Sequence, residues 1–238
     1  MKKLVACICA FTFLYATVDA LPYPDEYQIL DEIALRSGAD KGSNYHNYTE
    51  VYSQYFAPFK EKPIKFLEIG IYKGSSVKMW EEYLKNADLH FMDITLQAVE
   101  YHSKRSHYHL CNQESPVELR QFIKTVGGDF DIILDDGGHT MNQQITSFKI
   151  LFPYVKSGGM YIIEDLHTSY WNFYGGNSPH SAINFLKTLI DEVNFIGART
   201  SRASHINIPE DIRKELNIYK ELIYSIHFYD SIAIIIKR

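Results

Sequence analysis

Cysteine is nearly missing from this 238-residue chain: Cys7, Cys9 and Cys111 are all it has. Two of the three fall within the first twenty residues, so their spacing supports neither a disulfide framework nor a cysteine zinc site. Basic runs are lacking too, and the formal net charge is -5. That balance argues against a nucleic-acid partner, which needs a concentrated positive face. No internal repeat, low-complexity segment or linker between two cores is visible. Nor is there a G-x-G-x-x-G fingerprint: the glycine turn at Gly70 and Gly74 has G-x-x-x-G spacing, with Tyr72 where the middle glycine would stand. This lowers the case for an NAD or FAD enzyme.

What is present is apolar and aromatic. Hydrophobic residues make up 46% and aromatics 14%, enough for a packed α/β core with tyrosines to spare for a pocket. Residues 1–20 combine two lysines, an apolar stretch and Val18-Asp19-Ala20, the pattern of a secretory signal peptide. The expectation is export, secreted or periplasmic, if this leader is cleaved. An uncleaved N-terminal anchor, giving a cytoplasmic or membrane-anchored protein facing the cytosol, is the alternative, and a membrane is expected as a partner only in that case.

Residues 21–62 are expected to form a helical segment, with Ile29, Leu30, Ile33 and Ala34 on one stripe and Tyr48, Tyr52, Tyr55 and Phe56 on another. The second stripe reads as core packing or as a lid over a ligand. From residue 63 onward strands and helices alternate. Phe66–Ile69 is a short strand running into Gly70 and Gly74, which allow close backbone approach to a ligand at the start of a helix at Ser75. Leu89–Ile94 carries Asp93 about twenty residues beyond the glycines, where such folds bind a ribose. His107–Leu110 leads to Asn112 and Gln113, suited to an adenine edge, and Pro116 opens the next helix.

The most informative stretch is 131–165, a strand–helix–strand unit whose two strands end in Asp135-Asp136-Gly137-Gly138-His139 and in Glu164-Asp165. If they are parallel neighbours, Asp136, His139, Glu164 and Asp165 meet at the carboxyl rim where open α/β sheets bind ligands. Residues 167–177 form a polar, aromatic, glycine-rich loop after that rim. Ala182–Val193 is expected to be helical, residues 197–215 irregular, and the chain to close with a hairpin turning at Asp230-Ser231.

These features together resemble the class I S-adenosylmethionine-dependent methyltransferases. Ala39-Asp40-Lys41-Gly42, Phe66-Leu67-Glu68-Ile69-Gly70, Asp135-Asp136-Gly137-Gly138-His139 and Ile163-Glu164-Asp165 narrow the resemblance to the metal-dependent sugar O-methyltransferases of macrolide, aminocoumarin and rhamnosyl-polyketide glycosides. The resemblance implies a Rossmann-like, seven-stranded, mostly parallel sheet with a C-terminal antiparallel hairpin, helices on both faces, and a methyltransferase domain over 63–238. It implies S-adenosyl-L-methionine bound by Glu68, Gly70, Gly74, Asp93, Asn112, Gln113 and Asp135. It further implies Mg²⁺ on Asp136, Glu164 and Asp165, with His139 as general base; His167 is a second candidate base.

Such chemistry needs these residue types. A sugar hydroxyl is a poor nucleophile until its proton is leaving, and a hard cation on carboxylates can orient it while a histidine takes the proton. The expected acceptor is a small-molecule glycoside or glycan; an oligomer is compatible with the sequence. The alternative function is a secreted binding module that keeps the fold without catalysis, motivated by the leader, since the cofactor is made in the cytosol.

Overall fold

The computed structural model describes residues 24–199, 209–215 and 218–238. The leader predicted at 1–20 lies outside them. Among the described residues no helix is long and apolar enough to cross a membrane.

The sheet is built from β1 (Lys65–Ile69), β2 (Asp88–Asp93), β3 (His107–Leu110), β4 (Phe130–Asp135), β5 (Val155–Ile163), β6 (Ile223–Tyr229) and β7 (Ile232–Lys237). Its spatial order is β3-β2-β1-β4-β5-β7-β6. The first five strands are parallel, and β7 is antiparallel to both β5 and β6. The chain therefore winds outward from β1 in one direction and from β4 in the other. Between β1 and β4 the order reverses, which is where the carboxyl ends leave a crevice.

Both faces of the central strands are buried, so these strands read as apolar runs and not as alternation. The alternation survives in which core each residue joins. Phe66, Ile132, Leu134, Ile162 and Ile234 pack on one side with Leu30, Tyr52, Phe56 and Trp80. Leu67, Ile133, Tyr161, Ile163 and Ile235 pack on the other with Leu119, Phe148 and Leu186. The first layer holds α1 (Pro24–Ser37), α2 (Tyr48–Phe56) and α3 (Ser75–Tyr83), the second α4 (Pro116–Val126), α5 (Met141–Leu151) and α6 (Ala182–Arg199).

Local signals account for the element ends. Ser115 caps α4 by accepting from the Glu118 N–H, with Pro116 in the first turn. Thr140 and Gln143 form a reciprocal capping box at the start of α5. One expectation fails: residues 197–215 are not simply irregular, since α6 continues to Arg199 and α7 (Glu210–Glu215) is helical, followed by α8 (Ile218–Leu222). Polarity misled the reading there, because an exposed helical turn needs few apolar positions.

Candidate active site at the strand rim

A cleft of about 600 Å³ opens at the switch point, lined by the Gly70 turn, the ends of β2 and β4, and the Gly38–Lys41 loop. Gly70 explains how its floor closes. Its φ is +99°, and a Cβ there would lie 2.0 Å from the Asp136 carbonyl oxygen, so only glycine lets the β1 turn meet the β4 turn. Gly74 (φ +90°) sets the start of α3 against Tyr101 without reaching the cleft. Asp93 lines the cleft and braces the turn, its Oδ2 accepting from the Ile71 N–H at 2.9 Å and the Tyr72 N–H at 3.2 Å.

Asn112 and Gln113 also line the cleft, but Gln113 is already engaged. Its Nε2 donates to Asp135 Oδ1 at 2.9 Å and its Oε1 accepts from the Gly138 N–H at 2.8 Å. It therefore braces the Asp135–Gly138 turn while still lining the cleft. Glu68 and Asp135 are buried and do not line the cleft. Glu68 accepts from Ser76 Oγ at 2.9 Å and Trp80 Nε1 at 3.3 Å, tying β1 to α3. Burial pushes its carboxyl up to about 8 despite the nearby Lys41 ammonium. Asp135 accepts from Gln113, Ser147 and Tyr161, and burial raises its carboxyl as well.

The four rim residues divide into two groups. One oxygen of Asp136, one of Asp165 and one imidazole nitrogen of His139 lie within 4.8 Å of one another, a donor set fit for a divalent cation. His139 Nε2 is 3.3 Å from Asp165 Oδ2, and its Nδ1 is buried with no hydrogen-bond partner among the described residues. That orphaned nitrogen is costly to leave unmet, which marks the ring as held for something other than packing. Glu164 is outside this set. Its Oε1 accepts from the Tyr52 hydroxyl, and its Oε2 accepts from Lys41 Nζ at 3.1 Å. Burial first, then Asp136, pushes the Glu164 carboxyl well above the ordinary range.

In sequence, Lys41, Tyr48, Tyr52 and Thr168 carry no role of their own at the site, although Lys41 belongs to the Ala39–Gly42 motif and Tyr48 and Tyr52 to the core-or-lid stripe. Lys41 is fully buried and also donates to Asp136. Burial opposes its charge, but Asp136, Glu164 and Glu68 more than offset this and hold the ammonium well above the ordinary lysine range. Tyr48 donates to Asp165 Oδ1 at 2.6 Å, so the tyrosine stripe of α2 packs its rings in the core and sends two hydroxyls to the rim acids. Thr168 Oγ1 lies 3.1 Å from the His139 carbonyl and 2.7 Å from that of Asp165. Both of those residues have left-handed backbones, φ 58° and 56°. Non-glycine residues persist there only where the surroundings over-determine them, and such positions gather at functional sites. His167 donates or accepts at Ser231 Oγ through Nδ1 and stands 4.0 Å from Asp165, further from the donor set than His139.

A doubly wound sheet with a ligand cleft at its switch point defines a Rossmann-like α/β protein, and the acidic rim narrows the class further. Residues 67–166 match the family described as a methyltransferase domain. The chain is 31% identical over 87% of its length to the 8-demethyl-8-alpha-L-rhamnosyl tetracenomycin-C 2'-O-methyltransferase of Streptomyces olivaceus, of which it covers 54%. To the L-olivosyl-oleandolide 3-O-methyltransferase of Streptomyces antibioticus it is 34% identical over 76% of its length, covering 48% of that protein. Among solved structures, the MycE methyltransferase from the mycinamycin biosynthetic pathway, in complex with Mg and SAH, superimposes with a TM-score of 0.75 at 28% identity. The match covers 87% of this chain and 54% of that one. The chain thus spans about half the length of the curated relatives it matches.

Proposed function

We propose that the chain is an S-adenosyl-L-methionine-dependent, Mg²⁺-assisted O-methyltransferase acting on a sugar hydroxyl of a small glycoside or glycan. The observation that carries the proposal is the joining of the Asp136–His139–Asp165 donor set to a glycine-floored cleft at the sheet's switch point. The relatives favour it, being named for O-methylation of sugar-bearing polyketides, with MycE holding Mg and SAH.

In this reading Gly70 lets the cofactor approach the backbone, and Asp93 faces its ribose. Asp136 and Asp165 would hold the ion; bound there, it supplies a Lewis acid for a neighbouring hydroxyl oxygen. His139 Nε2 takes the hydroxyl proton as the oxygen–methyl bond forms and the methyl–sulfur bond breaks, leaving a neutral thioether. Asp165 Oδ2, 3.3 Å away, stabilises the imidazolium so formed. A row of rings surrounds the rim: His46 against His167 (6.2 Å between centroids), His167 against Trp171 (4.7 Å), Trp171 against Tyr174 (6.0 Å) and Tyr174 against His139 (6.4 Å). Such a row offers flat faces to the apolar side of a sugar.

Calorimetry with S-adenosylmethionine and turnover on rhamnosyl and olivosyl glycosides test the proposal together. Asp136→Ala and His139→Ala are expected to lose about 10²- to 10⁴-fold in turnover while cofactor binding persists. Full activity in His139→Ala would remove the base from the mechanism. An absence of cofactor binding would favour the alternative, a binding module on a methyltransferase fold, whose motive is the leader-like pattern of residues 1–20.

A further inference from the structure

Lys41 sits in the loop between α1 and α2, some hundred residues from the acids it meets. Its ammonium donates to Asp136 at the end of β4 and to Glu164 at the end of β5, and stands 3.7 Å from both Glu68 Oε1 and Asp40 Oδ1. Its side chain is essentially unexposed, as are those of Glu68 and Glu164. The loop that carries it is braced on Asp31, which accepts from the Ser43 N–H at 2.7 Å and Thr49 Oγ1 at 2.9 Å. A buried cation held this firmly against two carboxylates is part of the charge balance of the rim.

The geometry points to a role for it. We propose that Lys41 is the resident counter-cation of the acidic rim. As a positioning residue it holds Asp136 and, together with the Tyr52 hydroxyl, Glu164 in place, and its fixed charge limits how tightly a divalent ion binds beside it. The ammonium occupies one oxygen of Asp136 and one of Glu164, so an ion taking either carboxylate must share it with a positive charge or displace that charge. This rests on the metal-ion part of the proposed function.

Mn²⁺ titration of the full chain, followed by calorimetry and by the electron paramagnetic resonance of free Mn²⁺, tests the proposal without any turnover. Lys41→Gln, neutral but still able to donate to both carboxylates, is expected to bind Mn²⁺ about tenfold tighter than the parent. Lys41→Arg, which keeps the charge, is expected to stay within about twofold of it. The same tightening is expected when Lys41→Gln is added to Glu164→Gln. That background leaves one fewer buried carboxylate facing a missing cation, and it keeps the test available if the single variant does not fold. Equal or weaker Mn²⁺ binding on loss of the charge would overturn the proposal. If no form binds Mn²⁺, the proposal falls with the metal-ion reading, whereas the cofactor calorimetry above decides separately whether the chain is a methyltransferase.

Discussion

Among the described residues two clusters of ionisable side chains on this sheet invite comparison, and one of the two is built like a site. At the β2–β3 edge, His90, His107 and His109 stack with ring centroids 4.9 and 5.2 Å apart. His90 Nδ1 lies 3.0 Å from His109 Nε2, and Asp88 meets His90 at 3.1 Å and His107 at 3.3 Å. These residues sit on ordinary extended strands, are paired in register and line no part of the cleft. At the β4–β5 rim the acids and His139 are differently held. His139 and Asp165 have left-handed backbones, Gly70 touches the Asp136 carbonyl, and one imidazole nitrogen has no partner among the described residues. A gathering of titratable groups is thus poor guidance alone. Strained backbone, close main-chain contact and an unmet polar atom beside a cavity separate the rim from the edge.

The sharpest way to break this contrast is Gly70→Ala. The added Cβ meets main-chain atoms that cannot swing aside, on a backbone with φ of +99°. We expect a loss of roughly 3 kcal/mol or more and the disappearance of cofactor binding, measured by urea unfolding and calorimetry. A variant with near-normal stability and binding would mean that the two turns are not locked together.

Thr168→Val probes the same backbone more gently. Valine keeps the shape but removes the hydroxyl that bonds the His139 and Asp165 carbonyls. The expected cost is about 1–2 kcal/mol in stability. A roughly tenfold fall in turnover should accompany it, because the base and the acid lose their fixed separation. Unchanged turnover would show that the left-handed pair is held by other contacts.

How much of this was legible in the sequence follows from what repeats along a chain. The strands, the glycine turn, the hairpin and the rim acids were readable because apolar runs, G-x-x-x-G spacing and acids at strand ends are local patterns. The doubly wound order then brings Asp136 and Asp165 together however their side chains point. The direction of each side chain was not readable. Glu68 and Asp135 turn behind the cleft wall, Gln113 spends its amide on a turn, and Glu164 faces Lys41 and Tyr52. Lys41 stands in one of the motifs that carry the resemblance, but nothing local says that its side chain is buried against acids. Its burial depends on carboxylates about a hundred residues away, and no short-range pattern encodes that pairing.

The smallest expected effect is on pH, where the two regions should slope in opposite directions. His109 is pushed down from 6.5 to about 4, chiefly by burial and then by His90 and His107. Its folded form therefore binds fewer protons than its unfolded form between those values. Its contribution to stability is present above about pH 6.5 and is lost as the pH falls toward 4. Glu68, pushed up from 4.5 to about 8, binds more protons folded than unfolded, so its contribution falls as the pH rises through that window. His109→Gln should flatten the acid limb of the stability curve by about 1 kcal/mol, read from urea midpoints between pH 4 and 7, with cofactor binding unchanged. A change in cofactor binding in that variant would couple the histidine edge to the rim and erase the distinction between them. An acid limb left as steep as in the parent would mean that His109 is charged in the folded chain, with Asp88 outweighing its burial.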